Sequence, residues 1–112
     1  MKTAHYVIRV RTDGTVEAIE LNGRAPTRVE LAGILDYWSI RTLPIRNGVL
    51  VVGSMDETES LAVNEIATKL FAKSSREHVR GDAVLCSNGG DRLIGFDHDR
   101  AERIVRELTE DV

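Results

Sequence analysis

Cysteine occurs once in the 112 residues, at Cys86, so no internal disulfide can hold the fold and the chain reads as one for a reducing compartment. Long hydrophobic runs are missing as well. The longest uninterrupted stretches, such as Val49 to Val52, are four residues, against the roughly 20 needed to cross a bilayer. No apolar segment follows Met1-Lys2-Thr3-Ala4-His5, so the N-terminus does not read as a signal peptide. A basic excess is lacking: 18 acidic against 15 basic side chains give a net charge of −3, and no global positive field recruits nucleic acid. Aromatic residues are few, namely Tyr6, Tyr37, Trp38, Phe71 and Phe96, which leaves little surface for stacking bases. What remains is ordinary globular material, 42% hydrophobic and 29% charged. A chain of this size buries roughly two-thirds of its unfolded surface. The expectation is a single soluble, cytoplasmic domain over residues 1–112, with no membrane association.

Hydrophobic rhythm supplies the fold class. From His5 to Arg11 the residues alternate, with Tyr6, Ile8 and Val10 on one side and His5, Arg9 and Arg11 on the other, the period of a half-buried strand. Asp13-Gly14 suits a tight hairpin turn. A second strand, Val16 to Leu21, sets Glu17 where it can meet Arg9 or Arg11 across the hairpin. Thr27-Arg28-Val29-Glu30 reads as a capping box, followed by the apolar stripe Leu31, Ile34, Leu35 and Trp38 of a helix. Trp38 is expected in the core and Tyr37 at the surface. The order then recurs. Ser39 to Leu43 reads as a strand, Asn47-Gly48 as a turn, and Val49 to Val52 as a strand covered on both faces and central in a sheet. An acidic loop, Asp56 to Glu59, precedes a helix with Val63, Ile66, Ala67 and Leu70 on one face, capped by Ser60 or Asn64. A third round opens with a strand from Asp82 to Ser87, turns at Asn88-Gly89-Gly90, returns through Arg92 to Phe96, and closes with a helix capped by Asp97 or Asp99. The stripe of that helix is Ala101, Ile104, Val105 and Leu108. The predicted architecture is α+β: three successive ββα units, a mostly antiparallel sheet with three helices packed on it.

Reactive side chains do not assemble into a motif. Asp97-His98-Asp99 offers an imidazole and carboxylates, which His5 or His78 would complete as a metal site. A helix start favours aspartate without any metal, however, and the chain lacks HxH, HExxH and CxxC spacings. Cys86 could serve as a nucleophile beside His78 or His98, but inside Ala83-Val84-Leu85-Cys86 it reads as a small buried hydrophobe. Gly89-Gly90 sits between two strands, where a hairpin turn is expected rather than a phosphate cradle. No catalytic residue, cofactor or metal is expected. Arginine outnumbers lysine 12 to 3. The polar segment from Lys73 through Arg76 and His78 to Arg80 could meet phosphates, although Glu77 dilutes it. An exposed Tyr37 beside Arg41 would anchor a protein interface, where tyrosine, tryptophan and arginine concentrate.

Two segments resemble the signature of a small family of uncharacterised proteins common in phages, plasmids and other bacterial mobile elements. They are Leu61-Ala62-Val63-Asn64-Glu65-Ile66-Ala67-Thr68 and Gly81-Asp82-Ala83-Val84, and the likeness extends over roughly residues 5 to 95. Tyr37-Trp38-Ser39-Ile40-Arg41-Thr42-Leu43-Pro44 is similar to that family's passage from helix to strand, without its Gly-Gly and acidic residue. The resemblance implies no active site. It implies a setting, in which small proteins bind and redirect a host protein. The expected function is therefore that of a non-enzymatic protein-binding accessory protein of a phage or mobile element, acting in the bacterial cytoplasm on a host protein. Its specific form would be inhibition of a defence nuclease of the CRISPR or restriction type, with Tyr37, Arg41 and the acidic Asp56, Glu57 and Glu59 as contacts. The alternative is a nucleic-acid-binding accessory protein using Lys73, Arg76 and Arg80.

Overall fold

The computed structural model describes residues 4–45, 48–71 and 78–110. Strands β1 (Tyr6–Val10) and β2 (Val16–Glu20) form a hairpin and lead into helix α1 (Arg28–Leu35). Strands β3 (Ile40–Ile45) and β4 (Gly48–Gly53) form a second hairpin, followed by two short helices, α2 (Met55–Thr58) and α3 (Glu65–Phe71). Strand β5 (Ala83–Asn88), the short β6 (Leu93–Ile94) and helix α4 (His98–Glu110) complete the order. The class is α+β as expected, with a six-stranded antiparallel sheet. The described residues contain four helices where three were predicted. The additional helix is α2, which takes in most of the acidic segment Asp56 to Glu59 that was expected as a loop: Ser54 opens a helical turn in which the Thr58 amide donates to the Ser54 carbonyl at 3.2 Å. None of the helices among the described residues is long and apolar enough to cross a membrane.

Strand order is β2-β1-β5-β4-β3, with β6 also paired to β5. All six residues of β4 are buried, as four consecutive apolar positions suggest. The middle of the path nevertheless belongs to β5, which arrives last of the five and joins the two hairpins. Register aligns an apolar row across the sheet: Ile8 opposite Leu85, Leu85 opposite Leu50, and Leu50 opposite Leu43. Because successive residues of a strand face opposite ways, each interior strand feeds two cores. Ile8, Val10, Leu50, Val52 and Leu85 pack with Ala67 of α3 and Ala101 of α4. Val7, Val51, Val84 and Cys86 pack with Leu31 and Leu35 of α1. The sheet is thus the middle of three layers.

Local signals place the helix starts. The Thr27 hydroxyl accepts from the Glu30 amide at 3.0 Å, as a capping box requires, and Asp97 accepts from the Arg100 amide at 2.8 Å. For α3, Asn64 supplies the cap, through Oδ1 and the Ala67 amide at 3.1 Å. Val63, expected on the stripe of that helix, instead forms an isolated bridge with Arg80. Phe96 lies beyond β6 and bridges to Tyr6, which buries its ring.

The two sheet edges differ. The Ser54 amide donates to the Ser39 carbonyl, which fixes the hydrogen-bonding phase of the β3–β4 ladder and turns the main-chain groups of Ile40, Thr42 and Pro44 outward. The Ile40 carbonyl is taken by Arg28 Nη2 at 2.7 Å, and Pro44 has no amide hydrogen to offer. Edge β3 is therefore blunted, in the manner by which natural sheets resist adding a further strand.

Candidate functional site

The corner between α1 and β3 holds the most exposed large apolar side chain among the described residues, Trp38, at 97% exposure. Its position follows from the residue two places earlier. Asp36 takes a left-handed conformation, with φ 60° and ψ 44°, and is the one described non-glycine residue with positive φ. Aspartate tolerates that region better than most residues do. The Tyr37 amide then returns to the Ala32 carbonyl at 3.0 Å, and α1 ends at Leu35. The helical phase that put Trp38 on the apolar stripe is broken, and the two aromatic residues exchange places relative to expectation. Tyr37 points inward, half-buried, its hydroxyl donating to the Asp82 carbonyl at 3.1 Å. Trp38 points to solvent.

The corner is pinned from below by one carboxylate. Glu57 accepts the amides of Trp38 and Ser39, one on each oxygen, at 2.6 and 2.8 Å, and Ser39 Oγ reaches Ser54 Oγ at 2.7 Å. These backbone hydrogen bonds hold the Glu57 carboxyl below its usual range. Two of the residues expected as partner contacts are thus engaged within the fold: Tyr37 through its hydroxyl and Glu57 through both oxygens. Asp56 and Glu59 are exposed. Glu59 shares a cavity of about 250 Å³ with Arg41, Met55, Thr58, His78 and Arg80. Arg41 and Glu59 are therefore brought together, and Arg80, from the nucleic-acid alternative, joins them, its guanidinium donating to the Leu61 carbonyl at 3.1 Å. Lys73 and Arg76 lie outside the described residues. Val29, 83% exposed, and Trp38 line an adjoining stretch of α1 as an open depression of about 420 Å³, and Met55 is 62% exposed. Sequence reasoning missed Val29, Trp38 and Met55. The αL-tolerant Asp36 after Leu35 was the available signal for Trp38.

The other candidates take structural places. Cys86 is fully buried, and burial pushes its thiol up to about 12, so the nucleophilic thiolate is withheld at neutral pH. His98, Asp99 and Glu102 form a group whose ligand atoms lie within 4.8 Å of one another, all three exposed on one turn of α4. Asp97 is spent on the helix cap. Neither His5 nor His78 joins that group, and His78 faces the cavity beside Arg41.

Two weak acids, the fully buried Cys86 and the half-buried Tyr37, set an alkaline limit on stability. Desolvation raises Cys86 to about 12, and desolvation, then the Asp82 charge, raises Tyr37 to about 12. In the unfolded chain these groups ionise near their ordinary values of 9.0 and 10.0, so the unfolded state loses protons first and stability falls as pH rises from 9 towards 12. We expect the denaturant midpoint to be level from pH 7 to 9 and to fall above it. Cys86→Ala and Tyr37→Phe should each flatten the fall, as read from urea titrations at each pH. Comparison of the chain with family models, with curated proteins and with solved structures finds no match.

Proposed function

We propose that this protein is a non-enzymatic protein-binding accessory protein that docks on its partner through the Trp38 corner. The observation that carries the reading is a tryptophan 97% exposed at a corner whose backbone is set by the left-handed Asp36 and by two hydrogen bonds to Glu57. A large apolar side chain left in water costs solubility, and a preorganised one loses little entropy on binding. Tryptophan is prominent among binding hot spots, and Val29, which lines the same depression as Trp38, extends the patch with apolar area. Burial of Cys86 argues against a cysteine nucleophile. The setting proposed is the bacterial cytoplasm during infection or transfer by a mobile element, on the resemblance of residues 61–68 and 81–84. The partner proposed is a host defence nuclease or its complex, of the CRISPR or restriction type.

The test is phage plaquing on hosts carrying defined CRISPR or restriction systems, coupled to pull-down of the nuclease with purified protein. Protection of phage on at least one defended host, with the nuclease recovered, is the expected result. Trp38→Ala should weaken that complex by more than about 2 kcal/mol, roughly 30-fold. It should leave the melting temperature within the range of an ordinary surface change. Unaltered affinity in Trp38→Ala would remove the corner from the interface. Steeply salt-dependent gel shifts with DNA, abolished by Arg80→Ala, would support the nucleic-acid alternative instead.

A further inference from the structure

The sheet edge opposite the Trp38 corner is undefended. The Leu21 amide donates to the His5 carbonyl at 2.8 Å and the Arg11 amide to the Thr15 carbonyl at 2.9 Å. With Tyr6 opposite Glu20 and Val10 opposite Val16, these bonds fix the ladder phase. Val7 and Arg9 exchange bonds with Ile19 and Glu17, and the amides and carbonyls of Val16, Ala18 and Glu20 point away from β1. No described residue hydrogen-bonds those outward groups. Strand β2 has no proline and no bulge, and no described side chain caps its carbonyls in the way that Arg28 caps Ile40 on the other edge. Such a row is a template for another strand.

We infer that β2 is a homodimer interface, on which β2 of a second copy adds antiparallel about a two-fold axis through Ala18. The sequence of the edge is self-complementary in that register. Ala18, small and exposed, meets itself on the axis. Glu20, the outward residue with a charge, meets Val16 of the second copy and not another carboxylate. Glu17 meets Ile19, and its charge is already compensated by Arg9 at 2.7 Å and Arg11 at 3.4 Å. A symmetric pairing without facing like charges is what an isologous contact requires.

A second observation falls at the same residue. A cavity of about 210 Å³ opens beside the edge, walled by Tyr6, Ala18, Ala101 and Val105, with His98 and Glu102 at its rim. Residues 16, 18 and 20 share the α4 face of the sheet, since Val16 packs with the cluster that includes Ala101 while Ile19 packs with the opposite one. Val16 of the second copy therefore comes to the position diagonal to Ala18, beside this apolar notch, and would fill it. Backbone bonds and an apolar seat converge on the axis.

Light scattering and sedimentation of the full chain from about 1 µM to about 500 µM test this inference. The expected result is a concentration-dependent rise towards twice the 12.4 kDa monomer mass. Ala18→Lys places two ammonium groups face to face on the axis and should weaken association by at least about tenfold. Its side chain is exposed and its amide lies outside the β1–β2 ladder, so the variant should keep the wild-type circular dichroism and, at about 1 µM where both are monomers, the wild-type melting temperature. Thr42→Lys, on the blunted edge, should dimerise like the wild type, and so should Trp38→Ala. A wild-type chain that stays monomeric at 500 µM overturns the inference. So does a dimer that a folded Ala18→Lys variant leaves intact, or one that Trp38→Ala dissolves.

Discussion

Asn64→Ala should cost about 3–5 kcal/mol of stability. Asn64 is fully buried and joins three parts of the chain. Its Nδ2 donates to the Val10 carbonyl of β1 at 2.8 Å and to the Gly81 carbonyl at 3.0 Å, its Oδ1 caps α3 at Ala67, and its own amide donates to the Val79 carbonyl at 2.7 Å. Truncation deprives two carbonyls of a donor in a place water does not reach, each loss costing about 1–3 kcal/mol, and removes a helix cap worth about 1 kcal/mol. Thermal melts should show a fall of roughly 15–25 °C, at several degrees per kcal/mol for a domain of this size. Asn64→Ser restores an oxygen for the Ala67 amide but reaches neither carbonyl, so it should recover only about 1 kcal/mol. A loss below about 1 kcal/mol in Asn64→Ala would mean that Asn64 is not the tie described.

Gly81→Ala should lose about 3–4 kcal/mol, and Gly90→Ala only about 1 kcal/mol. Both glycines have positive φ, +79° and +95°, so both substitutions carry the backbone strain of an L-residue in that region. They differ in surroundings. A methyl group on Gly90 meets nothing within 4 Å, whereas one on Gly81 runs into the Tyr37 hydroxyl and comes within 2.8 Å of Leu61 Cδ1. The difference between the two losses isolates the collision, about 2–3 kcal/mol, in the range of core overpacking. Because the colliding atom is Tyr37 Oη, adding Tyr37→Phe to Gly81→Ala should cost less than the sum of the single changes. Denaturant titration of the four proteins measures that coupling. Equal losses at the two glycines would show that Tyr37 does not pack against Gly81.

Much of the fold was legible in local pattern. Alternation between His5 and Arg11, the Asp13-Gly14 turn, the capping box at Thr27 and the buried run Val49 to Val52 all describe neighbours in sequence, and each reappears in the structure. Glu17 opposite Arg9 was legible for the same reason. Contacts distant in sequence were not. Strand order depends on β5 pairing with β1 some seventy residues earlier, and no local period encodes that choice. Trp38 was misplaced because an apolar stripe assumes an uninterrupted helix, and a single left-handed residue at Asp36 resets the phase. The acidic segment read as a solvated loop because the partners of Glu57 lie 18 and 19 residues away, on the far side of a hairpin. Arg41, Glu59 and Arg80 line one cavity only once β3, α2 and the segment before β5 are assembled.

Placing β5 at the middle of the sheet also governs how the chain can be made. A ribosome delivers both earlier hairpins before residues 83–88 exist, and each hairpin then presents to the cell the flank that β5 will later cover, β1 on one and β4 on the other. Small isolated hairpins are marginal in water, and uncovered strands invite aggregation during synthesis. Chains stopped at residue 82 should therefore be insoluble or degraded, while those extended past Asn88 acquire the strand that closes both gaps at once. The native sheet therefore forms only once β5 is available to both hairpins.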